Sequence, residues 1–268
     1  MKCTHPILIR QDTHSLLDYT YYKNSKGDKF AIFGRYVPCG QCMACRLNYG
    51  KLWSIRMMEE LKKHDKACFV TLTYDPEHLP DDNGLHKEDL QNFWKRLRKE
   101  RSVRYFCCGE HGDRFNRPHY HAIIYGISPD ERDLIQKHWQ QGLVHVGTVT
   151  ADSCSYVAKY MTKKLRGKAL QQKLEEDPDY QNEFVLMSRR PGIGADLSPQ
   201  MIKFLRDNGV YYRKGSMSGL PRYWKDKFDV KNRMFFVDPD EENKILTSGD
   251  EIDKLYQERL KFFKRKDS

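Results

Sequence analysis

Hydrophobic and polar positions divide the chain into alternating helix-like and strand-like runs. Trp53, Met57 and Leu61 recur at helical spacing with Met58 beside them, which predicts a helix from about Leu47 to Lys63. Phe69–Tyr74 is a run of β-branched and aromatic residues and predicts a strand, closed by the turn residues Asp75-Pro76 and Asp82-Asn83-Gly84. Leu90, Phe93, Trp94 and Leu97 fall at i, i+3, i+4 and i+7, the apolar stripe of a second helix, and Lys95, Arg96, Arg98 and Lys99 fill its solvated face. Val103–Cys108 and His119–Tyr125 read as strands, and the loop His111–Pro118 between them is short enough to make the pair antiparallel. A helix over Asp130–Trp139, a strand over Val144–Val149 and a helix over Ala151–Leu165 follow. Beyond Leu165 the pattern weakens into an acidic linker at Glu175–Asp179, a helix over Leu197–Asn208 ending near Gly209, and a charged tail, Asp238–Ser268. That tail carries a helix from Glu251 to Lys264 and the basic end Lys264-Arg265-Lys266.

Strands and helices thus alternate irregularly and include a hairpin, which favours an α+β fold, an antiparallel sheet flanked by helices, over a doubly wound parallel sheet. The expected organisation is a strand-poor, Cys-rich cap and helix over residues 1–64, a core over 65–170 and a helical C-terminal extension over 171–268.

Charge narrows the partner. The 268 residues hold 47 Lys and Arg against 37 Asp and Glu, a formal charge of +10, which favours a polyanion. A membrane is the weakest candidate, since no apolar stretch approaches a spanning helix and Arg10 interrupts Ile7-Leu8-Ile9. A cytoplasmic protein is expected.

Cytoplasm turns the eight Cys from disulfides towards metal. Cys39-Gly-Gln-Cys42-Met-Ala-Cys45 is a C-x-x-C-x-x-C run, and Cys3 supplies a fourth thiolate if the N-terminal strand folds back. Short hooks of this kind aim two sulfurs at one tetrahedral Zn²⁺. An iron–sulfur cluster and unliganded thiols stand as alternatives, the former weakened because no fourth Cys and Pro follow Cys45. Cys68, Cys107, Cys108 and Cys154 lie in apolar segments and read as core residues.

The second metal candidate is His119-Tyr120-His121. Two His one residue apart on a strand project to the same face, roughly 6–7 Å apart, a spacing that suits one ion or a hydrogen-bonded structural pair. Glu110, at the end of the partner strand, is placed by the hairpin to complete a one-carboxylate, two-His set open to Mn²⁺ or Mg²⁺, though on residue type alone it reads as an exposed acid. Tyr156 and Tyr160 share one face of the helix over Ala151–Leu165, with Lys159, Lys163 and Lys164 nearby to favour phenolate. Packing is the alternative role for both Tyr.

Taken in order, these residues resemble the HUH endonucleases and, more closely, the replication initiator proteins of gokushovirus-type microviruses. The resemblance runs through Pro38-Cys39-Gly40-Gln41-Cys42 with Cys45, Phe69–Tyr74, Cys108-Gly109-Glu110, Arg117-Pro118-His119-Tyr120-His121, Tyr156-Val157-Ala158-Lys159-Tyr160 and Ser188-Arg189-Arg190-Pro191-Gly192-Ile193-Gly194. Tyr120 departs from the aliphatic residue usual between the two His. The resemblance implies an HUH/RRM-like core in which an ion on Glu110, His119 and His121 activates a phosphate of single-stranded viral DNA at the replication origin. Tyr156 and Tyr160 would then attack in turn, each leaving a 5′-phosphotyrosine and a 3′-OH that primes rolling-circle synthesis before the ends are rejoined. It further implies catalytic roles for Lys163 and Lys164, DNA contacts from Lys159, Arg189 and Arg190, host helicase and polymerase as partners, and the cytoplasm of a bacterial host.

Other chemistries fit less well. A zinc hydrolase of H-x-H-x-D type needs Asp where Ile123 stands, and a nucleobase deaminase needs an H-x-E upstream of Pro38-Cys39 that is missing. A non-catalytic nucleic-acid-binding protein with a zinc knuckle explains charge and Cys but leaves Glu110 with the His pair unused. A transposase or relaxase would share the chemistry and differ in role.

Overall fold

The computed structural model describes residues 3–9, 20–23, 29–32, 35–112, 116–163, 167–178, 180–213 and 215–230. These fall into two units, one running to Tyr49 and one beginning at Gly50.

In the first unit, β1 (Ile7–Ile9), β2 (Thr20–Lys23), β3 (Lys29–Ile32) and β4 (Arg35–Val37) form two antiparallel ladders, β1 with β4 and β2 with β3. The expectation of a strand-poor cap is therefore corrected. Strands of three or four residues carry too little alternation to be read from one sequence and depend on their partners. Helix α1 (Met43–Leu61) follows.

The second unit is built on a five-stranded, wholly antiparallel sheet of order β8-β5-β7-β6-β9, from β5 (Ala67–Thr73), β6 (Arg104–His111), β7 (Pro118–Tyr125), β8 (Val144–Thr148) and β9 (Phe184–Met187). Period-2 alternation sends its two faces into different cores. Val70, Leu72, Tyr120, Ala122 and Ile124 pack against Leu90, Phe93, Trp94 and Leu97 of α2 (Lys87–Glu100) and Ile135 of α3 (Arg132–His138). On the other face Phe106, Cys108, Ile123 and Tyr125 meet Trp53 and Met57 of α1 and Cys154, Val157, Ala158 and Tyr160 of α4 (Ala151–Lys163). All four Cys outside the N-terminal cluster are fully buried. This is the expected α+β class, with both faces of an antiparallel sheet covered.

The remainder corrects two expectations. Glu175 and Glu176 end a helix, α5 (Gly167–Glu176), because Leu170 and Leu174 give that segment one apolar stripe and its charges a solvated side. The extension is not purely helical: α6 (Pro199–Asn208), the hairpin of β10 (Tyr211–Arg213) and β11 (Ser216–Ser218), and α7 (Arg222–Lys227) surround a third core of Leu205, Tyr211, Leu220 and Trp224 with Ile55 of α1. Helix α6 starts at a Ser198 N-cap and ends where Gly209 turns left-handed at φ 67°, as the sequence predicts. The expected helix over Glu251–Lys264 lies outside the described residues. No helix among the described residues is long and apolar enough to cross a membrane.

Candidate active site

The site lies at one end of the sheet, on the α4 face. Register places Glu110 of β6 opposite His119 of β7, and Thr71 of β5 opposite His121. The Glu110 carboxylate, 4% exposed, has one oxygen 3.0 Å from His119 Nε2 and 3.0 Å from His121 Nε2. The two imidazole planes meet at 87° with centroids 4.9 Å apart. One ligand atom from each of the three residues falls within 4.8 Å of the others.

Each imidazole is oriented from behind. His119 Nδ1–H donates to the Arg117 carbonyl at 3.1 Å, since that oxygen can only accept, and His121 Nδ1 lies 3.0 Å from the Thr71 hydroxyl. Neutral His119 then turns an Nε2 lone pair onto a carboxylate oxygen. Two electron-rich atoms at that separation need a proton or a cation between them, so the donor set fits a divalent ion.

Helix α4 brings both Tyr to the same place. The Tyr156 hydroxyl is 3.4 Å from His121 Nε2, and the ring of Tyr160 lies nearly parallel to His121 at 5.7 Å. Phe69 flanks the other side of His121, its ring within 11° of parallel, and meets Tyr156 edge-on. The two Tyr differ in setting. Tyr156 is half-buried. Tyr160 is buried and donates its hydroxyl to Glu110, and burial together with the Glu110 charge raises its ionisation far above the usual phenol value.

Thr71, Phe69 and the Arg117 carbonyl are absent from the sequence reading of the site. Thr71 becomes visible only through the β5–β7 register, although its place in the alternation Phe69, Thr71, Thr73 puts it on the face opposite the buried Val70 and Leu72. Lys159 is half-buried on α4. Lys163 is the last residue of α4, with its side chain outside the description, and Lys164 lies outside the described residues. Arg189 and Arg190 are not in this site. They follow β9 at the opposite end of the sheet, beyond Met187, which pairs with Phe106 near the start of β6.

In the N-terminal unit, Cys3, Cys39, Cys42 and Cys45 bring their sulfurs within 4.8 Å of one another. The hook closes through amide bonds to sulfur: Gln41 and Cys42 N–H donate to Cys39 Sγ at 3.4 and 3.3 Å, and Cys39 N–H donates to Cys3 Sγ at 3.3 Å. Burial disfavours thiolates here and keeps Cys3 and Cys45 raised. At Cys42 it is outweighed by hydrogen bonds from Thr4 and Cys45, which bring that thiol down to about 6. Four converging sulfurs of which one ionises readily are a donor set completed by a thiophilic cation.

Residues 67–165 match the family model of the ORF2-type replication-associated proteins. The chain is 32% identical over 252 residues to the replication-associated protein VP4 of Bdellovibrio phage phiMH2K, across 84% of this chain and 76% of that protein. It is 30% identical over 202 residues to the replication-associated protein ORF2 of Spiroplasma virus 4, across 62% of each. The replication-associated protein ORF4 of Chlamydia phage 1 is 26% identical over 216 residues, across 71% of this chain and 53% of that one. No solved structure matches the chain.

Proposed function

The chain belongs to the phage replication-associated proteins, and from that premise we propose that it initiates replication as an HUH-type endonuclease, nicking single-stranded viral DNA through a tyrosine. The observation that carries this reading is the convergence of Glu110, His119 and His121 with the Tyr156 hydroxyl, 3.4 Å from His121. Glu110, His119 and His121 hold Mn²⁺ or Mg²⁺, which supplies Lewis acidity to the scissile phosphate. Glu110 and the two Nε2 atoms fix where that phosphate sits, and the Thr71 hydroxyl and Arg117 carbonyl hold the imidazoles in the tautomer that leaves Nε2 available.

Tyr156 makes the first attack. Its half-exposed ring leaves room for a phosphate to approach, whereas Tyr160 is buried against Glu110. The Tyr156 oxygen bonds to phosphorus as the bond to the 3′ oxygen breaks, the phenol loses its proton, and the departing oxygen gains one. A 5′-phosphotyrosine and a free 3′-OH result, the latter a primer. Lys159, Lys163 and Lys164 on and after α4 neutralise charge on the DNA. Tyr160, on the same helix face, serves the second strand transfer that rejoins the ends. At the N-terminus, Zn²⁺ on Cys3, Cys39, Cys42 and Cys45 holds the hook that precedes α1.

The test is incubation with single-stranded circular phage DNA and Mn²⁺. A covalent protein–DNA band that disappears with His121→Ala is expected. A wild-type chain that forms no adduct with any divalent ion overturns the reading.

A further inference from the structure

A second basic feature lies away from the tyrosines. The C-terminal turn of α2, the start of β6 and the segment after β9 enclose a cleft of about 830 Å³ in which Arg98, Lys99, Arg101, Arg104, Arg189 and Arg190 face one acid, Glu100. Two of these cations are already matched: Arg101 pairs with Glu131 at 2.6 Å, and Arg104 pairs with Glu60. Glu100 is occupied by Lys137 and His138, at 2.8 and 3.0 Å. Arg98, Lys99, Arg189 and Arg190 pair with no acid among the described residues, so the cleft carries a surplus of positive charge.

The scaffold under the two exposed Arg is built to hold them still. Ser188 N–H donates to the Tyr105 carbonyl at 2.9 Å, and its hydroxyl accepts from Arg98 and from Tyr105 N–H, each at 3.1 Å. Arg104 donates to the carbonyls of Pro191 and Gly192, Arg56 to that of Ile193, and Gly194 N–H to Glu60. Gly194 sits at φ +66° where a Cβ would come within 2.7 Å of the Arg56 carbonyl oxygen, so the turn is fitted to α1. Across the cleft, the Arg98 guanidinium lies 5.0 Å over Tyr105, whose ring stacks on Trp94 at 3.9 Å. Of the segment Ser188–Gly194, nearly everything is tied inward, and only the Arg189 and Arg190 heads are left to face outward. Preorganised cations of this kind suit repeated, fixed anions.

The geometry points to duplex DNA, gripped by its phosphates, as the occupant of this cleft. No aromatic residue among the described residues lines it, whereas single strands are held by stacking their bases on aromatic rings. A surface with guanidinium groups and no stacking platform reads backbone charge without sequence. Arg104 and Glu110 are six positions apart on β6, so the cleft and the metal ligands are roughly 20 Å apart, about six base-pair rises. The cleft thus holds a double-stranded flank while a single strand reaches the tyrosines. This rests on the reading that the chain acts on DNA, and adds a second, separable foothold.

The experiment compares two probes on the full chain by fluorescence anisotropy across a salt series: a single strand of roughly ten nucleotides, and the same strand extended by a stem of about twelve base pairs of arbitrary sequence. In Arg189→Ala/Arg190→Ala the salt slope on the stemmed probe should fall by nearly two, about 0.9 for each phosphate that is no longer neutralised, with binding to the plain strand unchanged. Lys99→Glu, on the facing wall, should weaken the stemmed probe alone, and unchanged thermal midpoints exclude misfolding. Equal slopes for wild type and variants on the stemmed probe overturn the proposal, as does an equal drop on both probes. Variants that no longer bind polyglutamate yet keep the stem also overturn it, and assign the cleft to an acidic protein. Failure of the tyrosine reading is seen separately, as a plain strand that binds and forms no adduct.

Discussion

Thr71 and His121 face each other across the β5–β7 ladder, and the Thr71 hydroxyl lies 3.0 Å from His121 Nδ1. This bond sets the ring so that Nε2 points at Glu110. Thr71→Val keeps the shape of the strand and removes the partner. Divalent-ion affinity should fall about 10–100-fold with the fold retained. Calorimetric titration with Mn²⁺ checks this, and an unchanged Kd would show that His121 needs no such support.

The unequal exposure of the two tyrosines yields an ordered prediction. Tyr156→Phe should lower formation of the first covalent adduct by roughly a thousandfold or more, the scale on which loss of a nucleophile is felt. Tyr160→Phe should leave the first adduct nearly intact and impair rejoining. Quantifying adduct and rejoined circle from one time course separates the two steps, and the reverse pattern would exchange the roles.

At the N-terminus, Cys42→Ser removes the sulfur that ionises most readily, at about 6. Elemental analysis of unchelated protein should find about one Zn²⁺ per chain in the wild type and little in the variant. Iron in place of zinc would establish the iron–sulfur alternative, and neither metal would leave four thiols.

Acid stability has a traceable contributor in Glu131. The Ser128 backbone N–H, then Lys66 and Arg101, hold its carboxyl below the ordinary value of 4.5. Its folded pKa lies below the unfolded one, so the stabilisation is full above that ordinary range and fades as pH falls through the folded value. Glu131→Gln should cost under about 1 kcal/mol at neutral pH and flatten the acid limb of the stability curve. Urea titrations at a series of pH values give the comparison, and parallel curves would remove Glu131 from the account.

How much of this is legible in the sequence depends on how local each feature is. The β6–β7 hairpin is readable because two apolar runs flank a short polar loop, and that hairpin brings Glu110 to His119. Strand β9 is not, since Phe184–Met187 gains its strand character from pairing with β6. Thr71 stays hidden for the same reason: register is a property of two strands, not of one. Tyr120, the departure from an aliphatic, points away from the site, and its hydroxyl meets Tyr74 at 2.7 Å and the His86 backbone at 2.9 Å. A bulky polar-tipped residue is accommodated there because the opposite face of the sheet supplies partners.

The hairpin also sets an order of assembly. His121 and Glu110 are 11 residues apart in the chain, whereas Tyr156 is 35 residues beyond His121. Closing the short loop costs little entropy, so the ligand set matures with the hairpin, ahead of the docking of α4. An ion bound only by the folded hairpin adds stability by mass action. Mn²⁺ should therefore raise the melting temperature even of a chain lacking both tyrosine hydroxyls, and in that chain the ion is part of the architecture before any DNA arrives.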